Sequence, residues 1–176
     1  TKSFYEADGQ IDQEDFVYGS FLSSKMYRNH VSCSNCHNPH SGEMKMEGNT
    51  LCMQCHEPKY DSESHHHHTG DKGTSCVSCH MDGKVYMGND YRKDHSFRVP
   101  RPDQTVKYKT SNACNSCHTD KDAKWAESAV INWYGKERAY HFSDDLIPGS
   151  MLNERSLFHL TNLMKNDSVP TIVKAT

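Results

Sequence analysis

Residues 76–118 open with Cys76-Val77-Ser78-Cys79-His80 and close with Cys114-Asn115-Ser116-Cys117-His118. Between them runs Arg92-Lys93-Asp94-His95-Ser96-Phe97-Arg98-Val99-Pro100-Arg101-Pro102. Two further copies of Cys-X-X-Cys-His lie upstream, at Cys33/Cys36/His37 and Cys52/Cys55/His56. The four copies account for all 8 cysteines. Two thiols three positions apart can add to the two vinyl groups of one porphyrin, and the adjacent histidine then reaches the iron. The pattern implies covalently bound haem c, one per motif, with His37, His56, His80 and His118 as proximal ligands.

A zinc site or a redox dithiol also uses Cys-X-X-Cys. Neither explains a histidine after every pair. Histidine fills 13 of 176 positions, so four such coincidences have a chance of roughly 3 in 100,000.

Hydrophobic residues make up 34% of the chain, which is thin for a self-sufficient core. Four apolar macrocycles would supply that core. The expected fold is therefore mostly irregular and α-helical, wrapped around four stacked haems, with little or no sheet. Residues 1–120 read as the tetrahaem domain, with 1–24 as an extended N-terminal arm. Residues 121–176 read as a short helical, repeat-like segment, truncated at its end. The net charge of −3 gives no nucleic-acid footprint, and no apolar run approaches a membrane span.

Nine histidines remain after the motifs, and four positions stand out as distal ligands: His30, His40, the 65–68 run and His95. His40 lies too close to His37 to reach the far face of the same porphyrin, and Pro39 interrupts a smooth continuation. Adjacent side chains in the run point in different directions, so all four cannot serve one iron. His95 has Asp94 or a backbone carbonyl to fix its tautomer. Arg92, Arg98 and Arg101 are candidate propionate partners, because a guanidinium pairs a carboxylate bidentately. Met81 or Met87 is an alternative axial ligand, and His141 and His159 are surplus.

Past the fourth motif, Asp120 or Asp122 can cap a helix running to about Tyr134, with Gly135 as its stop. A second helix is expected over 150–166, and Pro170 suits the first turn of a third. Trp125 and Trp133 read as plain packing residues.

The block from Cys33-Ser34-Asn35-Cys36-His37-Asn38-Pro39-His40 to Arg101-Pro102 resembles the multihaem c-type cytochromes of the doubled-CxxCH, nitrite-reductase-related group. Some small relatives of that kind form extracellular cytochrome filaments. The likeness spans about residues 30–140. In such proteins the second histidine of Cys-X-X-Cys-His-X-Pro-His serves another haem. Likeness also favours His68 over His65 within the run. The resemblance implies electron transfer through four closely packed bis-His haems. A discrete carrier and a filament subunit with a distal histidine donated in trans both fit. A nitrite- or hydroxylamine-converting enzyme with one open haem is the competing class. The implied partners are redox proteins or extracellular acceptors, and further copies of the chain. Haem c is attached outside the cytoplasm in prokaryotes, which implies a periplasmic or extracellular location reached by an export signal. Thr1 reads as a processed N-terminus.

Intact mass of the denatured, matured protein should show four haem additions that acid-acetone does not remove. Three or fewer would sink the one-haem-per-motif reading.

Overall fold

The computed structural model describes residues 4–13 and 16–175. It contains twelve helices among the described residues, most of a single turn: α1 Val17–Ser23, α2 Lys25–Arg28, α3 Cys33–Cys36, α4 Thr50–Met53, α5 Glu63–His66, α6 Cys76–His80, α7 Pro102–Tyr108, α8 Ala113–Cys117, α9 Ala123–Tyr134, α10 Ser143–Ser150, α11 Ser156–Lys165 and α12 Thr171–Lys174. A 3-10 turn covers Pro58–Tyr60. The sheet is one antiparallel hairpin, β1 Gly83–Tyr86 with β2 Asp90–Lys93. The mostly helical and irregular architecture with little sheet agrees with the sequence.

Each Cys-X-X-Cys unit sits on a helical turn or runs just past one. The N–H of the following histidine bonds the carbonyl of the first cysteine in three motifs: His37 to Cys33 (2.8 Å), His56 to Cys52 (3.1 Å) and His118 to Cys114 (2.8 Å). Polar residues head these turns. The Ser32 N–H and hydroxyl both donate to Asn35 Oδ1, and Asn112 Oδ1 accepts from the Asn115 N–H. Such caps satisfy backbone donors that a short helix leaves open.

The buried apolar residues are few. Phe142, Leu163, Val169 and Val173 form one small cluster, joined by Leu146 and Ile172 at its edge. It lies in the C-terminal helices, away from the cysteine motifs in sequence. α10 packs on α11, and α12 packs on α1. The Arg28 guanidinium also donates to the Ser168 carbonyl (2.6 Å). The N-terminal arm is therefore helical over 17–23 and folds back on the C-terminus.

The helix expected up to Tyr134 is α9. Asp122 is its N-cap, accepting from the Trp125 N–H at 2.9 Å, and Gly135 ends it at φ 82°. The helix expected over 150–166 is shorter. Leu152 adopts φ 54° in a turn, so α11 starts only at Ser156. Leu163 is buried, but Leu152 and Leu157 are 88% and 77% exposed. α10 had no counterpart in the sequence reading. Its internal Pro148 and Gly149 hid it, yet a Cβ at Gly149 would meet Leu160 at 2.7 Å. The close approach of α10 and α11 needs that glycine.

Replacing Asp122 by Ala should cost about 1 kcal/mol of stability through loss of the cap. Chemical denaturation of the matured protein, compared with Asp120→Ala as a control, measures it.

Candidate functional site

The histidines form three pairs, two of which join segments far apart in the chain. His37 of the first motif lies opposite His95, with ring centres 6.4 Å apart. His80 of the third motif lies opposite His65 at 6.2 Å. His118 of the fourth lies opposite His68 at 6.1 Å. Two metal–imidazole bonds of about 2 Å, plus about 1 Å from each ring nitrogen to its centre, separate ring centres by roughly 6 Å. The pairs therefore fit a metal held between two imidazoles.

Tautomers agree with that fit. Nδ1–H donates to a backbone carbonyl in His37 (Gly42, 2.9 Å), His80 (Arg98, 2.7 Å), His95 (Lys93, 3.0 Å) and His68 (His66, 2.5 Å). That leaves Nε2 with its lone pair for a metal and fixes the ring orientation. Lys93, and not Asp94, orients His95. Burial, then the neighbouring His80, pushes His65 below its ordinary pKa, which keeps that imidazole neutral.

Local backbone explains how one histidine run serves two pairs. α5 ends at His66, and His67 takes the left-handed conformation at φ 55°. The chain reverses there, sending His65 and His68 to different partners. Gly73, at φ 86°, leaves room for His68. A Cβ there would lie 2.5 Å from the His68 ring. His67 instead stacks on Trp133 at 4.2 Å, and Trp125 lies 4.8 Å from His118. Both tryptophans thus pack against the histidine cluster. His95 owes its place to the β1–β2 hairpin, which returns the chain immediately before it.

His56 differs. Its ring contact is with Tyr60 at 6.2 Å, and no imidazole contacts it among the described residues. His30 and His40 are both exposed. Neither makes a ring contact with a motif histidine among the described residues.

All eight cysteines are free. Thiols of successive motifs are neighbours. In addition to burial, Cys55 raises the Cys36 thiol, Cys76 raises Cys52, and Cys114 and Cys117 raise Cys79. Burial pushes the Cys52 thiol up to about 11, with Cys76 adding to it. Burial also raises Cys36, Cys76, Cys79 and Cys114. Redox dithiols and thiolate metal ligands need the opposite shift. Among the described residues no three His, Cys, Asp or Glu side chains converge as a metal site would require.

Some residues that hold the motifs together carried no sequence signal. Asn49 accepts from the Cys76 N–H (2.9 Å) and donates to the Thr74 carbonyl (2.9 Å), tying the second motif to the third. The Ser116 hydroxyl donates to Asp82, tying the third to the fourth. A generic Asn or Ser in a loop gives no hint of such long-range contacts.

The arginines expected at propionates have partners within the chain. Arg92 pairs with Asp90 (2.7 Å), Arg98 with Asp8 (3.2 Å) and Arg101 with Asp103 (2.7 Å). Met81 and Met87 flank the third motif, and Met87 is 62% exposed at the hairpin tip. His141 is half-buried against Arg98, and His159 bonds Asp145 at 2.7 Å. Burial, then Arg98, pushes His141 down to about 3.

Residues 27–61, which hold the first two motifs, match the doubled CXXCH motif family. This is a multihaem c-type cytochrome-like motif. It points to haem binding and electron transfer, and the motifs indicate covalent attachment of haem c. No curated protein and no solved structure matches the chain.

Replacing His95 by Ala should turn one haem high-spin while leaving all attached haem in place. The resting optical and paramagnetic resonance spectra report it. A fully low-spin spectrum would make His95 a packing residue and return His141 and His159 to consideration.

Proposed function

We propose that the chain binds four haems, one per motif, and works as an electron conduit. The observation that carries this reading is the set of three imidazole pairs, each joining a motif histidine to one from another segment. The bound haem would supply reversible one-electron chemistry. With imidazole on both sides, His37/His95, His65/His80 and His68/His118 leave no coordination position for a substrate. Two imidazoles also favour a lower potential than a His/Met pair. The mutual electrostatic influence of thiols in successive motifs supports attachment points lined up in motif order, first to fourth.

The second motif divides two readings. His56 has no opposing imidazole among the described residues, whereas His30 and His40 are exposed. We propose that copies of the chain assemble, and that an exposed histidine of one copy completes the second-motif site of the next. Leu152, Leu157 and Phe158, exposed at 88%, 77% and 63%, offer apolar surface for such assembly. An extracellular filament is the arrangement this favours. Its electrons would pass to redox proteins or extracellular acceptors outside the cytoplasm. The competing reading leaves His56 facing an open position, as a nitrite- or hydroxylamine-converting site needs.

Carbon monoxide uptake by the reduced protein separates them, with negative-stain images to report assembly. Assembled protein should bind little carbon monoxide, and dissociated protein should bind one equivalent. Stoichiometric uptake by assembled protein, coupled to nitrite turnover, would overturn the conduit reading.

A further inference from the structure

Arg98 stands where three parts of the chain meet. Its backbone is locked to His80 by a reciprocal pair. The Arg98 N–H donates to the His80 carbonyl (2.9 Å), and His80 Nδ1–H donates to the Arg98 carbonyl (2.7 Å). Its guanidinium is held elsewhere. Nη1 donates to the Asp8 carbonyl, Nη2 lies 3.2 Å from Asp8 Oδ2, and Nη2 donates to His141 Nε2 at 3.1 Å. The Asp8 side chain is 2% exposed and that of Arg98 16%.

Asp8 belongs to a compact loop of the N-terminal arm. The loop is closed by a Tyr5–Ile11 bridge and by Gln10, whose Nε2 donates to Asp8 Oδ2 (2.8 Å) and to the Ser111 carbonyl (2.7 Å). Glu6 anchors it further, taking the Ser111 N–H (2.6 Å) and Lys84 Nζ (2.7 Å). The Ile11 N–H donates to Asp94, beside His95. Gly9 is required at the tightest point. Its φ is 86°, and a Cβ there would meet Phe142 Cζ at 2.8 Å and Arg98 Nη1 at 3.5 Å.

We propose that the arm residues 6–11 and the His141–Phe142 corner form a clamp that acts through Arg98 to set the orientation and hydrogen bond of His80, making Arg98 a positioning residue for the third-motif haem. The inference rests on the haem reading above. The carbonyl that accepts from a ligating imidazole governs its orientation and basicity. Here the position of that carbonyl depends on a side chain pinned by a buried carboxylate. Removing one partner of a buried ion pair leaves the other charge uncompensated. Loss of the Asp8 charge would thus both loosen residue 98 and leave an uncompensated positive charge on the residue that holds His80. Both effects disfavour the ferric state, so the potential of that site should rise.

The test uses the full matured protein with Asp8→Asn, Arg98→Lys and Gly9→Ala. Lysine keeps the charge but cannot reach Asp8 and His141 together. Gly9→Ala keeps every charge and displaces the loop, so it reads the clamp even if Asp8→Asn fails to mature. Intact mass first confirms that the third motif carries haem; if wild type lacks it, the haem reading has failed and not the clamp. His65→Met identifies the third-motif signal, because a His/Met pair raises the potential of its own haem. Redox titration followed by paramagnetic resonance should show Asp8→Asn shifting that haem roughly tenfold toward ferrous at fixed potential, about 59 mV for one electron. Its resonance signal should change shape, Arg98→Lys and Gly9→Ala should shift it less, and the other haems should keep their signals. Lowered thermal stability with every potential and signal unchanged would show a purely structural contact and overturn the clamp.

Discussion

Three imidazole pairs hold their ring centres 6.1–6.4 Å apart, and most of the surrounding structure keeps them there. Backbone carbonyls of Gly42, Arg98, Lys93 and His66 each take an imidazole Nδ1–H. Gly42 and Arg98 sit in loops, and His66 and Lys93 are the last residues of α5 and β2, so loops and element ends must be rigid if the rings are to be. Asn49, Asp82 and Glu6 supply that rigidity by bonding across segments far apart in sequence. A chain without long regular elements can thus still present its ligands at fixed geometry.

The same arrangement accounts for the composition. The mean hydropathy is −0.90, and the buried apolar cluster is confined to the C-terminal helices. Among the buried residues, polar ones such as Asp8, Asp94, Gln104 and Asn112 are prominent. Buried polar groups are tolerated where they are bonded and costly where they are not. Asp8 and Asp94 are satisfied by Arg98, Gln10, Ile11 and Ser96. Around the cysteine motifs the protein supplies polar scaffolding, and the macrocycles of the proposed haems would supply the apolar mass.

The readable parts were those whose signal is local. The Cys-X-X-Cys-His units, the Asp122 cap and the Gly135 stop each lie within a few residues of what they control. His65, His68 and His95 were recognisable as spare histidines near motifs. Their pairing was not, because it depends on the hairpin before His95 and the left-handed turn at His67. The carboxylate neighbours of the arginines were illegible for a related reason. A guanidinium suits any carboxylate, and spacing cannot tell a propionate from Asp8, which lies ninety residues away in the chain from Arg98. α10 was invisible because Pro148 and Gly149 oppose a helix locally, and only its packing on α11 overrides that preference.

The pairings also bear on how the chain orders itself. His37 and His95 lie on opposite sides of the second and third motifs, and His68 pairs with His118 across the third. A metal bridging either pair would close a long loop, and the entropy lost by closing a loop grows only slowly with its length. Long closures therefore cost little more than short ones. The two closures interleave, since His68 lies inside the 37–95 loop and His118 outside it. Interleaved closures cannot be made independently without constraining each other. His65/His80, by contrast, closes a short loop lying wholly within the first and between close neighbours. The physically cheapest order is this short closure first, fixing the histidine run and the third motif together. His68 is then already near the fourth motif, and the Asp82–Ser116 contact brings the two motifs into register. A haem iron bridging His37 and His95 would need the hairpin in place and the first motif carried back onto it.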